Sequence, residues 1–233
     1  MARLVTLLAP VGALALAALL VVGIGGALVR LPWEPPCVVD GGAGQPAVHG
    51  SVVEMRRQVS RALSADDGDG ASGEEAEGSV ALRNALSSGP VLTCTVEAIS
   101  ATGEPKDLPV GLTPRARELR SEVRDAFGRI RDGGYGPQDV LPGRSAGGEH
   151  SLGRAIDFFF RPYDDADQVA RGWLLANWAV ANAQRLGIRT VIYSDHIWTA
   201  RRSSHGWRDY RFRGANAESP VNRHLDHVHI DVA

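Results

Sequence analysis

The sequence predicts an α+β fold in which helices pack against a small, mainly antiparallel sheet. Three observations predict it: two long segments with apolar residues at helical spacing, short β-rich segments between and after them, and a last segment that alternates apolar and polar residues. The first helix is expected from Pro114 to about Arg131. Thr113 suits its N-cap and Pro114 its first turn, Leu119, Val123, Phe127 and Ile130 make the apolar stripe, and Asp125 stands four residues before Arg129. The second helix is expected from about Asp164 to Leu186, capped by Asp164 or Asp165 and ended by Gly187, with Val169, Trp173, Ala176 and Val180 on its apolar face. Strands are expected around Ile156 to Phe160, at Thr190 to Tyr193 and at the C-terminus. In that last strand, alternation puts Val228, Ile230 and Val232 on one face and His227, His229 and Asp231 on the other.

The N-terminal half reads differently. Between Arg3 and Arg30 lies a run of roughly 26 residues without a charge, long enough to cross a hydrocarbon core of ~30 Å as a helix. The residues that follow it make a poor cleavage site, so 1–30 is expected to be an uncleaved signal anchor rather than a signal peptide. Arginines flank it on both sides (Arg3, then Arg30, Arg56 and Arg57), so the positive-inside count leaves its orientation open. Residues 31–110 are expected to form a small extracytoplasmic region, starting with the extended, proline-rich exit Leu31 to Pro36. A helix is expected from Ser51 to Leu63 on the spacing of Val52, Met55, Val59 and Leu63, a mobile acidic loop from Asp66 to Gly78, and a strand around Cys94. The acidic loop lacks the spacing and closing glutamate of an EF-hand. The chain has two cysteines, Cys37 and Cys94, both after the apolar run and in no C-x-x-C pair. A disulfide between them is the expectation, closing a loop that the chain-entropy model values at about 4 kcal/mol.

Composition excludes more than it selects. A net charge of -2, with Lys106 the one lysine in the chain, supplies no basic field for nucleic acid. Hydrophobic and charged contents of 44% and 22% are those of an ordinary globular protein.

The chemistry gathers in two short segments. Residues 150–157 have the form HxxGxAxD, and Asp226-His227-Val228-His229 stands four residues from the end. A catalytic zinc is typically held by three protein ligands with its fourth position open to water. His150, Asp157 and His229 supply such a set. Asp157 lies in the apolar run Ala155 to Phe160, where a carboxylate costs several kcal/mol unless it is paired or bound to a metal. Gly153 and Ala155 are small enough for the chain to pass close to its neighbours there.

This pair of segments resembles the VanY-type D-alanyl-D-alanine carboxypeptidases and their relatives. From roughly Leu112 to Val232 the order of features is similar: a helix, a Gly143-Arg144 turn, the HxxGxAxD strand, a long helix, a strand with Ile197-Trp198, a Gly206-Trp207-Arg208 turn and the final D-H-V-H strand. The resemblance implies a hedgehog/DD-peptidase-like zinc domain over 111–233, with His150, Asp157 and His229 as ligands. It implies that Arg144 faces the substrate, and that Asp226, three residues before the last ligand, is the general base. Glutamate is usual at that place, and aspartate is one methylene shorter; His227 is the alternative acid-base or oxyanion-stabilising group. Trp198 and Trp207 match aromatic positions of that domain, where packing accounts for them as well as substrate contact does. The implied activity is zinc-dependent hydrolysis of peptidoglycan stem peptides, as a D,D-carboxypeptidase or related endopeptidase, at the outer face of the membrane. The alternative is a catalytically inactive module of the same fold that binds cell-wall peptide or regulates a partner.

Overall fold

The structure is a computed structural model that describes residues 36–40, 47–64, 74–101, 103, 105–106, 111–135 and 148–233. The expected membrane helix over 1–30, most of the acidic loop and the Gly143-Arg144 turn, with the substrate-facing role expected of Arg144, lie outside the described residues. Among the described residues no helix is long and apolar enough to cross a membrane.

Pro35–Ala233 form one compact unit. It opens with a three-stranded antiparallel sheet of order β2-β1-β3, made of β1 (Cys37–Val39), β2 (Val48–Gly50) and β3 (Leu92–Cys94). Cys37 and Cys94 face each other across β1 and β3 and are joined by a disulfide, as expected. Helix α1 (Val52–Ser64) is the helix read from the sequence. Ser51 Oγ accepts from the Glu54 amide at its start, and Met55, Val59 and Ala62 are its buried residues.

Helix α2 (Glu74–Ser88) corrects the reading of Asp66 to Gly78 as a loop. Glu74, Glu75 and Glu77, read as loop acidity, occupy the first turn, where negative charge complements the helix dipole. Leu82 and Leu86 then bury against the core.

Six strands make the larger sheet, in the order β4-β5-β9-β6-β7-β8 and antiparallel at every pairing. They are β4 (Asp132–Gly133), β5 (Ala155–Phe159), β6 (Ile188–Tyr193), β7 (His196–Thr199), β8 (Arg208–Asp209) and β9 (His227–Val232). The C-terminal strand therefore runs through the middle of the sheet. Its Val228, Ile230 and Val232 are fully buried with Ile156, Phe158 and Val191, as the alternation predicts.

Helix α3 (Pro114–Phe127) has the expected cap, with Thr113 Oγ1 accepting from the Ala116 amide. It ends about a turn earlier than the pattern suggested. Gly128 turns the chain at φ 71°, and Arg131 then joins the sheet by accepting from the Phe159 amide. Helix α4 (Ala166–Leu186) is capped by Asp165 and ends at Gly187 in a left-handed turn. It is buried on every side from Gly172 to Ala183, because the sheet covers one face while α1 and α2 cover another. Asn177, inside α4, donates to the carbonyls of Leu86 and Gly89 and accepts from the Leu92 amide. The core is thus continuous across residue 110, the expected domain boundary. Trp198 is fully buried, and Trp207 packs on Trp173 and donates its indole N–H to Leu92.

Candidate metal centre

The register of β5 and β9 places Asp157 directly opposite His229. His150 arrives from the turn before β5, which Glu149 ties down through ion pairs to Arg154 and Arg189. Gly153, in this turn, has φ 70°, and a Cβ there would meet the Gly111 carbonyl at 2.4 Å. The close passage expected of this residue is therefore real.

Asp157 Oδ1 lies 3.0 Å from His229 Nδ1 and 3.3 Å from His150 Nε2. One donor atom from each of the three residues lies within 4.8 Å of the others. Donors bound to zinc at about 2.0–2.2 Å in a tetrahedron stand ~3.4 Å apart, so these separations suit one small cation. Gly134 completes the cradle. A Cβ there would stand 2.7 Å from His150 Cε1 and 2.8 Å from Asp157 Oδ2, so that only glycine leaves the donors their space. The buried group His150, Asp157 and His229 could hold a metal ion, and one carboxylate with two imidazoles suits zinc among other transition metals. Without an ion, the charges of these groups offset one another. Burial raises the Asp157 pKa, but the His150 and His229 contacts outweigh it and hold the carboxyl well below its usual range. Burial lowers the His229 pKa, and the carboxylates of Asp231 and Asp157 overcome that and push it up to about 10.

His227, also buried, is the next group along β9. Its Nε2 lies 3.7 Å from Asp157 Oδ1, and its Nδ1 is 2.8 Å from Asp226 Oδ1. Asp226 stands just before β9 and is buried. Its second oxygen, Oδ2, accepts from Arg161 Nε and Nη2 at 2.8 and 2.5 Å. Arg161 in turn lies over the Phe159 ring, 4.5 Å from its centroid. Burial raises the Asp226 pKa, while His227 and Arg161 draw it below the ordinary value. Asp226 does not share the ligand face, as strand parity required, but it reaches the centre through His227.

Sequence reasoning missed His224, Asp231 and Arg161 as parts of this centre. The His224 ring is 4.7 Å from that of His227 and 5.7 Å from that of His229, and its far side meets Tyr210 at 4.9 Å. Burial pushes its pKa down to about 3, and its Nδ1 has no partner among the described residues. His224 sits in a loop at φ 54°, outside any periodic pattern, so no spacing rule could have found it. Asp231 had a visible signal, since alternation set it on the face of His229.

The model of the VldE C-terminal domain family matches residues 109–221. The matched stretch runs from before α3 to the loop before β9, and includes His150 and Asp157 but stops short of Asp226, His227 and His229. No curated protein and no solved structure matches the chain.

Proposed function

We propose that this chain is a zinc-dependent peptidase of the VanY-like kind, hydrolysing peptidoglycan stem peptides at the outer face of the membrane, anchored by its N-terminal segment. The observation that carries the reading is His227: an imidazole held by a buried carboxylate, with its second nitrogen turned toward the residues suited to hold the metal. Zinc held by His150, Asp157 and His229 would supply Lewis-acid polarisation of a carbonyl and activation of water.

Between the two acid-base candidates, the geometry favours His227. Both Asp226 oxygens are engaged, Oδ1 by His227 and Oδ2 by Arg161, so this carboxylate is placed to orient rather than to exchange protons with a substrate. It accepts the Nδ1 proton of His227 and leaves Nε2 as the basic atom facing the centre. His227 then takes a proton from the attacking water and returns it to the leaving amine. Arg144 remains the proposed contact for a substrate carboxylate.

The test is digestion of stem peptides by the zinc-loaded full chain, with products weighed by mass spectrometry. Loss of one terminal alanine marks a carboxypeptidase and two peptide fragments an endopeptidase; either is expected to stop with a chelator and return with zinc. Peptide that is bound yet left intact by the loaded protein would favour the inactive binding module instead.

A further inference from the structure

The His229 ring is flanked by carboxylates at both nitrogens: Nδ1 lies 3.0 Å from Asp157 Oδ1 and Nε2 lies 2.7 Å from Asp231 Oδ1. Asp157 belongs to the proposed ligand set and Asp231 does not. A second buried carboxylate in this sheet costs several kcal/mol unless its contacts offset it, and nothing in the proposed mechanism uses it. Its surroundings are nevertheless shaped for it. Asp231 sits two residues after His229, on the same face of β9, and its neighbours across the sheet are Ala155 on β5 and Thr190 on β6. Ala155 offers only a methyl group where a larger side chain would fill the space. The Thr190 side chain hydrogen-bonds the Asp231 carboxylate, which leaves that carboxylate little freedom to turn away from His229.

We infer that Asp231 is a positioning residue for the metal centre: it accepts the Nε2 proton of His229, fixes the ring and its tautomer, and so makes Nδ1 the atom offered to the metal. A carboxylate only accepts hydrogen bonds, and of the two beside the ring Asp157 belongs to the ligand set while Asp231 does not, so Asp231 keeps the Nε2 proton and Nδ1 is the nitrogen freed for the metal. The lone pair of Nδ1 then points to the side where Asp157 and His150 converge. Carboxylates placed behind a ligating histidine in this way typically strengthen metal binding ~10–100-fold. The small residue at position 155 of the HxxGxAxD segment also acquires a reason, since it lies opposite Asp231 and leaves room for it.

The inference rests on the metal-centre reading, and the experiment separates the two. Zinc affinity of the full chain is measured by chelator competition for the unmodified protein, Asp231→Asn and Asp231→Ala, together with the melting temperature of each metal-free form. Asparagine keeps an oxygen for the Nε2 proton and is expected to stay within a few-fold of the unmodified protein. Alanine is expected to weaken zinc ~10–100-fold. NMR of the unmodified chain loaded with 113Cd gives a second readout that needs no variant: coupling to His229 Hε1 without coupling to Hδ2, the signature of Nδ1 coordination. Equal zinc affinity in all three proteins, whatever the melting temperatures do, overturns the inference, and so does cadmium coupled through Nε2. If the unmodified chain takes up neither zinc nor cadmium, the metal-centre reading falls first and this inference falls with it.

Discussion

Asp226 gives one oxygen to His227 and the other to Arg161, and this division of contacts assigns the two candidate acid-base residues different work. His227→Ala is expected to lower the turnover of stem peptides by ~10²–10⁴, the usual loss for a general acid-base group, while bound zinc is unchanged. Asp226→Asn has one oxygen for two sets of donors; with that oxygen turned to Arg161, its amide N–H faces His227 Nδ1 and holds the wrong tautomer, so it is expected to cost a comparable factor, again with zinc bound. Steady-state kinetics with zinc content measured on the same samples checks both. If His227→Ala turns over normally and Asp226→Asn is dead, the aspartate is the base after all. The sequence displayed His150, Asp157, His227 and His229 because they fall in two short segments with recognisable spacing. It could not display Arg161 or His224. Arg161 lies just past the end of β5 and reaches Asp226 across 65 residues, and His224 is turned inward only by a left-handed loop backbone.

Two glycines on neighbouring elements separate backbone strain from damage to the centre. Gly128 and Gly134 both have positive φ, 71° and 82°, but only at Gly134 would a Cβ strike His150 and Asp157. Gly128→Ala is expected to lower stability by about 1–3 kcal/mol, the cost of a side chain at φ 71° and ψ -159°, a region that essentially only glycine occupies, with zinc affinity unaffected. Gly134→Ala should weaken zinc binding as well. Melting curves and zinc titrations of the two variants check this, and equal zinc affinity would mean that Gly134 serves the turn alone. Helices were legible where a cap and a stripe coincided, as at Thr113 with Leu119 and Val123, or Asp165 with Trp173. Helix α2 was hidden because its first turn is acidic and small, and its burial rests on Leu82 and Leu86 in the second half. The end of α3 was overestimated because Ile130 is buried in the sheet region, so it extends the apolar spacing beyond the helix.

At the scale of the whole molecule, the centre depends on parts of the chain that carry none of its chemistry. Helix α4 supports the sheet on one side and is itself covered by α1 and α2, with Asn177 binding the carbonyls of Leu86 and Gly89. A fragment starting at residue 111 would expose that surface, and is expected to be insoluble or to lack a cooperative melting transition. A fragment from residue 35, keeping the Cys37–Cys94 disulfide, is expected to melt cooperatively. Calorimetry on the two fragments checks this, and a well-folded short fragment would show that the N-terminal elements are dispensable. The chemistry of the centre depends first on whether three residues hold one metal ion. The measurement is the zinc stoichiometry of the full chain, purified without chelator and then titrated with zinc, against Asp157→Ala prepared alongside. The expected result is close to one zinc per unmodified chain, with a melting temperature that rises on zinc addition, and neither in Asp157→Ala. Unmodified protein that takes up no zinc and melts at the same temperature with and without it would contradict the metal centre.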